Sequence, residues 1–419
     1  MGVGAHGADN PTDLLVETNR DFSMEFELWY LVFIPLLFAA GWWAKGLDLR
    51  ERDRSAMNLP EVYARSVTLL AGEHPERAVD SLIEAIRLDP DLIELHHVLG
   101  ALFRRRGEFD RAIRLHSHLV HREDIPEADR VRALKELGED YMRAGLFDRA
   151  EETYRQLMEN PSEHLTALKA LLAIYCIEHE WTSAIDISHR LEVQAGLDLA
   201  HEISHYYCEL ADLAVQQKDL PLAKEHLSRA LEKWALSPRA NIAMGTLLLT
   251  IGSEEEALAR WEAVMQQTPE YLPLVIGQIA DLMDKRGERK AAIELLHQAL
   301  ASSTQTDVIQ AAIKRLAQWE GKEAALSRVV ELLKARPTLS TFAQMIALRQ
   351  AENPTDEETK LLATLLEKQA RKESRYQCAK CGFMASSFSW HCLGCGSWDS
   401  FPPRRVTDPK AVKVRESTM

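Results

Sequence analysis

LGEDYMRAGLFDRAEETYRQLMENP, residues 137–161, is the stretch that decides the fold of this chain. Its apolar residues predict two short amphipathic helices joined by a turn at Ala144 and Gly145. Leu137 and Tyr141 lie four residues apart, so they fall on one face of the first helix. One such hairpin cannot bury both of its faces alone, so further copies are expected. The apolar face of the second helix consists of Phe147, Ala150, Tyr154 and Leu157.

The unit recurs along most of the chain. An alanine of the second helix returns at intervals of 33 to 39 residues, which resembles the period of tetratricopeptide (TPR) repeats. This alanine column consists of Ala78, Ala112, Ala150, Ala184, Ala223, Ala257, Ala292 and Ala325.

A second column supports the same interpretation. Twelve residues before each alanine, where the paired helices approach closely, six copies hold a small residue and two hold Leu172 or Ile313. Two columns in register predict an all-α fold, a TPR superhelical solenoid of about eight repeats over residues 57–350. The small residues are Ser66, Gly100, Gly138, Ala211, Gly245 and Ala280.

The composition and the absence of catalytic motifs limit the classes of function expected of this chain. The chain has 419 residues and a net charge of -14. An acidic balance argues against a general nucleic-acid binder, whose footprint is a basic surface, so we expect no nucleic-acid partner. No Walker motif, GxSxG or paired-carboxylate motif occurs, so we expect no enzymatic activity.

Residues 28–44, LWYLVFIPLLFAAGWWA, are seventeen consecutive uncharged residues and predict a short transmembrane helix. Tryptophans at both ends resemble the aromatic belts of membrane interfaces. A cleaved signal peptide and a buried core helix are the alternatives. The residues before the segment are acidic, whereas a signal peptide needs a basic region there.

The charges around the segment predict its orientation. Lys45, Arg50 and Arg52 follow it, so the positive-inside rule places the rest of the chain in the cytoplasm. Residues 1–23 lack hydrophobic periodicity and predict a disordered extension. Met24 lies directly before the anchor and is the expected start of the protein.

Basic residues on the first helices of the second and third copies predict a partner-binding surface. They resemble the clamp by which some TPR proteins hold a peptide carboxylate or an acidic segment through charge-assisted hydrogen bonds. The alternative is an ordinary solvated helix face. The candidate residues are His97, Arg104, Arg105, Arg132, Lys135 and Arg143.

His201 and His205 have the i, i+4 spacing that can bring two imidazoles to one metal ion. No HExxH motif or carboxylate partner pattern accompanies them. Surface or packing roles are therefore favoured for both.

The most specific chemistry lies at residues 378–396, CAKCGFMASSFSWHCLGCG, which contain two C-x-x-C-G turns. Four thiolates suit one tetrahedral Zn2+, and a closed four-thiolate shell leaves no position for a substrate. The pattern predicts a rubredoxin-like zinc ribbon over residues 376–402 with a structural metal. Its predicted ligands are Cys378, Cys381, Cys392 and Cys395.

Iron is the alternative metal, because rubredoxins present the same paired turns. His391 is a disfavoured substitute ligand, since four cysteines are present. Thiolate ligands need a reducing compartment, which again indicates the cytoplasm. Residues 351–375 predict a helical tether with a helix from about Glu357 to Glu373, and residues 403–419 predict a disordered tail.

The order of anchor, TPR array and terminal ribbon resembles the lipopolysaccharide assembly protein B family of Gram-negative bacteria. The strings RGEFDRAIRLH, LGEDYMRAGLFDRAE, HYYCELA and YQCAKCGFMASSFSWHCLGCGSW carry the resemblance, which covers residues 24–402. The departures are the N-terminal extension and the second cysteine turn, Cys-Leu-Gly-Cys, which lacks the proline that the family pattern leads us to expect.

The resemblance implies an inner-membrane adaptor that presents the deacetylase of the committed step of lipid A synthesis to the FtsH protease. Other lipopolysaccharide assembly proteins are further implied partners, and pairing of two copies as a homodimer is left open. Two alternative functions are a membrane-bound rubredoxin-type electron carrier and a generic envelope-assembly scaffold.

Overall fold

The computed structural model of the chain describes residues 75–303, 305–335, 337–352, 357–373 and 376–404. The predicted extension, the anchor at 28–44 and the first helix of the first repeat lie outside these residues. Among the described helices, none combines the length and the apolar character needed to cross a bilayer.

The described array consists of α-helices, and the ribbon contains two short strands. β1 (Tyr376–Gln377) and β2 (Met384–Ala385) pair antiparallel. This arrangement confirms the predicted TPR array with a C-terminal ribbon. The helices are α1 (Pro75–Leu88), α2 (Ile93–Arg105), α3 (Phe109–Val120), α4 (Glu127–Ala144), α5 (Phe147–Leu157), α6 (His164–Ile177), α7 (Trp181–Ala195), α8 (Ala200–Gln216), α9 (Leu220–Lys233), α10 (Pro238–Thr250), α11 (Glu254–Gln267), α12 (Leu272–Lys285), α13 (Arg289–Ser302), α14 (Thr306–Trp319), α15 (Lys322–Ala335), α16 (Leu339–Glu352) and α17 (Glu357–Glu373).

The chain divides into two compact units, residues 1–136 and 137–419. In the first unit, α1, α2 and α3 bury a core that includes Leu82, Leu99 and Phe103. In the second unit, the cores follow the helices in sequence order, as expected of repeats that pack mainly on their neighbours.

The alanine column lies in these cores. Seven of its eight members belong to residues with described side chains, and each of these is at most 1% exposed. No larger side chain fits where the second helix of each hairpin is so completely covered, which explains the recurrence of alanine.

The small-residue column marks the closest approach between paired helices. A Cβ atom on Gly245 would lie 2.4 Å from the Trp261 indole, and one on Gly138 would lie 2.8 Å from the Tyr154 ring. Both rings stand four residues after a column alanine. The fourth copy exchanges the two sizes, because it carries Leu172 at the small position and the fully buried Ser188 at the ring position.

The turn inside each hairpin needs one residue with a left-handed backbone. Five copies use glycine, whereas two use His179 and Lys218 at φ values of 59° and 64°. Side chains with a Cβ adopt this conformation at a steric cost, so these two turns depend on the packing around them. The glycines are Gly107, Gly145, Gly252, Gly287 and Gly321.

The segment after the eighth repeat is helical, as its sequence predicts. α17 packs against α16, with Ala363 among its buried residues. The expected tether therefore forms a helix pair with the closing helix of the array.

We expect Gly245→Ala to be about 1–3 kcal/mol less stable than Gly277→Ala in denaturant unfolding followed by circular dichroism. Trp261 cannot easily yield, because its indole N–H donates to the Ile242 carbonyl. At Gly277 the added Cβ meets the guanidinium of Arg315, which pairs with Asp281 but lies at the end of a long side chain that can shift, so the helix preference for alanine offsets more of the cost there. Equal stability of the two variants would contradict the close approach.

Candidate metal centre and its docking surface

The ribbon brings the four predicted cysteines together. The Sγ atoms of Cys378 and Cys395 lie 3.8 Å apart, and those of Cys381 and Cys392 lie 3.7 Å apart. All four sulfurs lie within 4.8 Å of one another. A tetrahedral ion with bonds of about 2.3 Å places its ligands about 3.8 Å apart, so the set fits one ion. Zinc and iron both accept this geometry.

The two cysteine turns fold alike. The amide of Gly382 donates to the Cys378 carbonyl at 3.0 Å, and the amide of Gly396 donates to the Cys392 carbonyl at 2.8 Å. Burial acts to raise the pKa of the Cys378 thiol, but hydrogen bonds from the Ser400 hydroxyl and from two backbone amides outweigh it and lower the pKa to about 6. The turn thus favours the thiolate, the form that binds metal, at Cys378. At Cys381 a backbone hydrogen bond at Phe383 acts to lower the pKa, but burial and hydrogen bonds with the neighbouring thiols outweigh it and raise the pKa.

The sulfur cluster has a buried side and an exposed side. Cys378 and Cys392 are buried, whereas Cys381 and Cys395 are exposed. His391 is engaged elsewhere, because its Nε2–H donates to the Gly396 carbonyl at 3.0 Å. The cysteines alone can therefore close a four-ligand shell.

The ribbon docks on the array through three aromatic side chains. Trp390 stacks on Tyr271 with ring centroids 5.2 Å apart, and the Phe388 ring meets both of these rings edge-on. Trp398 stacks on His205 at 4.8 Å and meets the edge of Trp181. Large aromatic surfaces dominate such contacts, so these rings hold the ribbon against helices α7 to α12.

The face of the array that contacts the ribbon is called the docking surface below. Polar contacts extend it beyond the three aromatic rings. The Tyr376 hydroxyl donates to Asp307 on α14, and the Gln305 side chain donates to the carbonyl of Pro403, just after the ribbon. Contacts therefore run from α7 to α14, although the ribbon itself is only 27 residues long.

Arg239 joins the docking surface from α10. Its guanidinium lies 5.5 Å from the Trp398 ring centroid, as in a cation–π contact. The Arg239 side chain is only 7% exposed, and it pairs with Glu209 at 2.9 Å and Asp212 at 2.7 Å. Its charge is thus balanced by the array.

Asp399 is the ribbon residue that joins the histidine pair of α8. The Nε2 atoms of His201 and His205 lie 2.9 and 3.0 Å from the same Asp399 oxygen, Oδ2. Burial acts to raise the pKa of Asp399, but the two hydrogen bonds outweigh it and lower the pKa to about 2. The Asp399 hydrogen bond raises the pKa of His201, whereas burial lowers that of His205.

The sequence shows no carboxylate partner pattern beside the histidine pair, but the structure places one carboxylate, that of Asp399, next to both rings. The i, i+4 spacing was visible in the sequence, but Asp399 lies 194 residues after His205 and belongs to no motif. Only the docking of the ribbon brings the three side chains together.

The candidate clamp residues lie in different surroundings. His97 differs from the expected exposed position, because it is only 3% exposed and stacks on His116. Neither of its ring nitrogens has a hydrogen-bond partner among the described residues. Burial lowers the pKa of His97 to about 4, so the ring is neutral at physiological pH and cannot attract an acidic partner by charge.

Two of the arginines form ion pairs within the first unit. Arg104 donates to Glu136 at 2.5 Å with a side chain only 12% exposed. Arg132 donates two hydrogen bonds to Glu94 and is exposed. A partner carboxylate would have to displace these acidic residues.

Lys135 is half-buried, and Arg105 and Arg143 are exposed. The two exposed arginines make no ion pair with a described residue, so both can meet a partner directly. The clamp stays a prediction, with these two arginines as its most accessible members.

We expect Cys392→Ser to lose the ribbon metal while the array keeps its helical circular dichroism. Cys392 is fully buried, so serine would leave an unfilled ligand position inside the ribbon. The purified protein should hold one zinc here by elemental analysis and be colourless at this site, because an iron tetrathiolate would be red. Cys176→Ser is the matched control, since Cys176 lies outside the cluster. Full metal content in Cys392→Ser would contradict this assignment.

Comparisons with known proteins agree with this architecture. Residues 376–403 match the rubredoxin metal binding domain family, and residues 95–126 and 208–271 match tetratricopeptide repeat families. The chain is 32% identical over 387 residues to lipopolysaccharide assembly protein B of Escherichia coli strain K12, covering 91% of this chain and 99% of that protein. It is 26% identical over 389 residues to lipopolysaccharide assembly protein B of Haemophilus influenzae, covering 90% of this chain and 98% of that protein.

The match with the Escherichia coli protein extends over almost the whole length of that protein. Together with the TPR array and the four-cysteine ribbon, this match shows that the chain belongs to the lipopolysaccharide assembly protein B family.

Proposed function

We propose that this protein is a non-enzymatic adaptor that regulates lipopolysaccharide synthesis. It presents the deacetylase of the lipid A pathway to the FtsH protease and so limits lipopolysaccharide output. Membership of a family whose relatives are named for lipopolysaccharide assembly supports the pathway. The TPR array supports a role in binding proteins, because such arrays offer long surfaces for peptides and folded partners.

The docked ribbon is the observation that carries the adaptor proposal. A four-thiolate shell has no position for a substrate, so its metal stabilises the ribbon rather than performing a reaction. The aromatic contacts of Trp390 and Trp398 then make the ribbon part of the array's surface. The metal thereby contributes to the shape of a binding surface.

The proposal places the protein in the inner membrane. Residues 28–44 form a single span, and the array and C-terminus lie on the cytoplasmic side. The charges after the span support this orientation. A membrane-bound protease occupies the same plane, so anchoring raises the effective concentration of the adaptor near the protease without any further contact.

Deleting the gene should lengthen the half-life of the deacetylase in cells that contain FtsH and leave it unchanged in cells that lack FtsH. The reason is that an adaptor acts only through its protease. Pulse-chase immunoprecipitation of the deacetylase measures this, and a variant without residues 1–45 at native expression should resemble the deletion. A lengthened half-life in both backgrounds would contradict the adaptor proposal and favour a generic assembly scaffold.

Charge reversal tests whether the exposed arginines bind a partner or belong to an ordinary solvated helix face. Arg105→Glu and Arg143→Glu, made singly, should each weaken co-purification of the deacetylase or the protease while changing stability by only about 0.5 kcal/mol. Arg229→Glu is the matched control, since Arg229 is also exposed but pairs with Glu225 on its own helix. Unchanged co-purification in both test variants would leave these arginines as ordinary surface charges.

A rubredoxin-type electron carrier is the second candidate. The exposure of Cys381 and Cys395 favours it, because electron transfer needs a metal centre near the surface. This candidate requires iron rather than zinc, so the metal content and colour of the purified protein decide between the two functions.

A further inference from the structure

The cluster of His201, His205 and Asp399 has a geometry that the adaptor function does not explain. Both imidazoles direct Nε2 at one carboxylate oxygen, at 2.9 and 3.0 Å. The other oxygen of Asp399, Oδ1, is buried and has no hydrogen-bond partner among the described residues. A carboxylate that only accepts hydrogen bonds gains most by using both oxygens, so convergence on one oxygen needs another cause.

Two imidazole nitrogens and one carboxylate oxygen that lie this close together are a ligand set found around metal ions. One ligand atom from each residue lies within 4.8 Å of the others. A tetrahedral ion with bonds of about 2.0–2.1 Å holds its ligands about 3.3 Å apart. The two nitrogen–oxygen separations of 2.9 and 3.0 Å need to open by only a few tenths of an ångström, roughly, to receive such an ion.

Charge also favours a cation at this point. Asp399 is a largely buried carboxylate, and between neutral imidazoles its negative charge is uncompensated, which is costly. Proton uptake by His201, whose pKa Asp399 raises, is one way to balance this charge, and a bound cation is the other. Arg239 is a buried cation of the docking surface, but it is already paired with Glu209 and Asp212. A divalent ion would neutralise Asp399 without disturbing that network.

The surroundings suit a transition metal ion. The His205 ring stacks on Trp398 and is fully buried, and the Trp234 ring lies 4.6 Å from the His201 ring. These aromatic walls limit water on one side. His201 is 36% exposed on the other, which leaves a path for an ion and a position for a water ligand. Imidazole nitrogen donors favour zinc-type ions over magnesium or calcium.

We infer that His201, His205 and Asp399 form a second metal site, which binds one Zn2+ ion between α8 and the ribbon. The ion fastens the ribbon to the array by joining residues that are 198 positions apart in the chain. This site is separate from the four cysteines, and its existence does not depend on the adaptor function.

The purified full-length protein should bind two zinc ions, and Asp399→Asn should bind one. Asparagine suits this position, because Asp399 has a φ of 45° and asparagine tolerates that backbone region. The amide oxygen can still accept from both histidines, so a purely hydrogen-bonding role would survive the change. Losing the anionic ligand should weaken the second site beyond the roughly 10- to 100-fold cost of losing a group that only orients a ligand.

Elemental analysis after equilibration with Zn2+ gives the count, and Co2+ substitution identifies the sites. Cobalt on the four cysteines shows strong thiolate-to-metal charge-transfer bands, whereas cobalt on the second site should add only weak ligand-field bands. Asp399→Asn should lose those weak bands and keep the strong ones. The retained strong bands also show that the ribbon of the variant is folded.

Three further variants separate loss of a metal ligand from loss of folding or docking. His201→Gln changes the array alone and should also leave one zinc, even if Asp399→Asn disturbs the ribbon. His297→Gln should keep two, because His297 is likewise half-exposed beside one carboxylate, Glu320, but lacks a second imidazole. Tyr376→Phe should keep two, since it removes a docking hydrogen bond without removing a ligand. One zinc in the unaltered protein, or two in both Asp399→Asn and His201→Gln, would overturn the inference.

Discussion

The array depends on how closely the two helices of each hairpin approach one another. In the copy built around Gly245, the indole of Trp261 occupies the space that any larger residue would need. The same exchange of a small residue for a large one accounts for the fourth copy, where Leu172 and Ser188 reverse the sizes. Neighbouring repeats share their cores, so a change in the distance between the two helices of one hairpin also shifts the next hairpin. Steric fit at these positions therefore sets the geometry on which the docking surface is built.

Local pattern was enough to predict most of the fold. The alanine column and the two cysteine turns are periodic or closely spaced, so their physical meaning could be read without knowing any distant contact. The same holds for α17, whose range of Glu357–Glu373 agrees with the helix predicted from the sequence. His97 shows the limit of such reasoning, because its burial depends on how the side chain of His116 packs against it. Asp399 shows it more strongly, since no local signal links it to α8.

The ribbon and the array complete each other. A module of 27 residues has too little apolar area for a stable core, and its tryptophans would be exposed without the array. The array in turn carries His205 and Arg239 as buried polar groups, which need the ribbon as a cover and a partner. Docking covers the tryptophans of the ribbon and gives the buried polar groups of the array their partners, so it lowers the free energy of both modules. The repeats of such an array mainly contact their immediate neighbours. The ribbon contacts several of them at once and so links repeats that are distant in sequence.

The position of the ribbon after the array in the chain has a consequence for biosynthesis. Chains fold from the N-terminus as they leave the ribosome, so helices α7 to α14 are made before Trp398 and Asp399 appear. The tie across the repeats can form only after the whole array has been synthesised. A chain that stops early lacks this brace and exposes Trp181 and Tyr271, which the ribbon otherwise covers. Exposed aromatic surface of this kind is what quality-control proteases and chaperones recognise, so the ribbon distinguishes a braced array from one whose synthesis stopped before the ribbon.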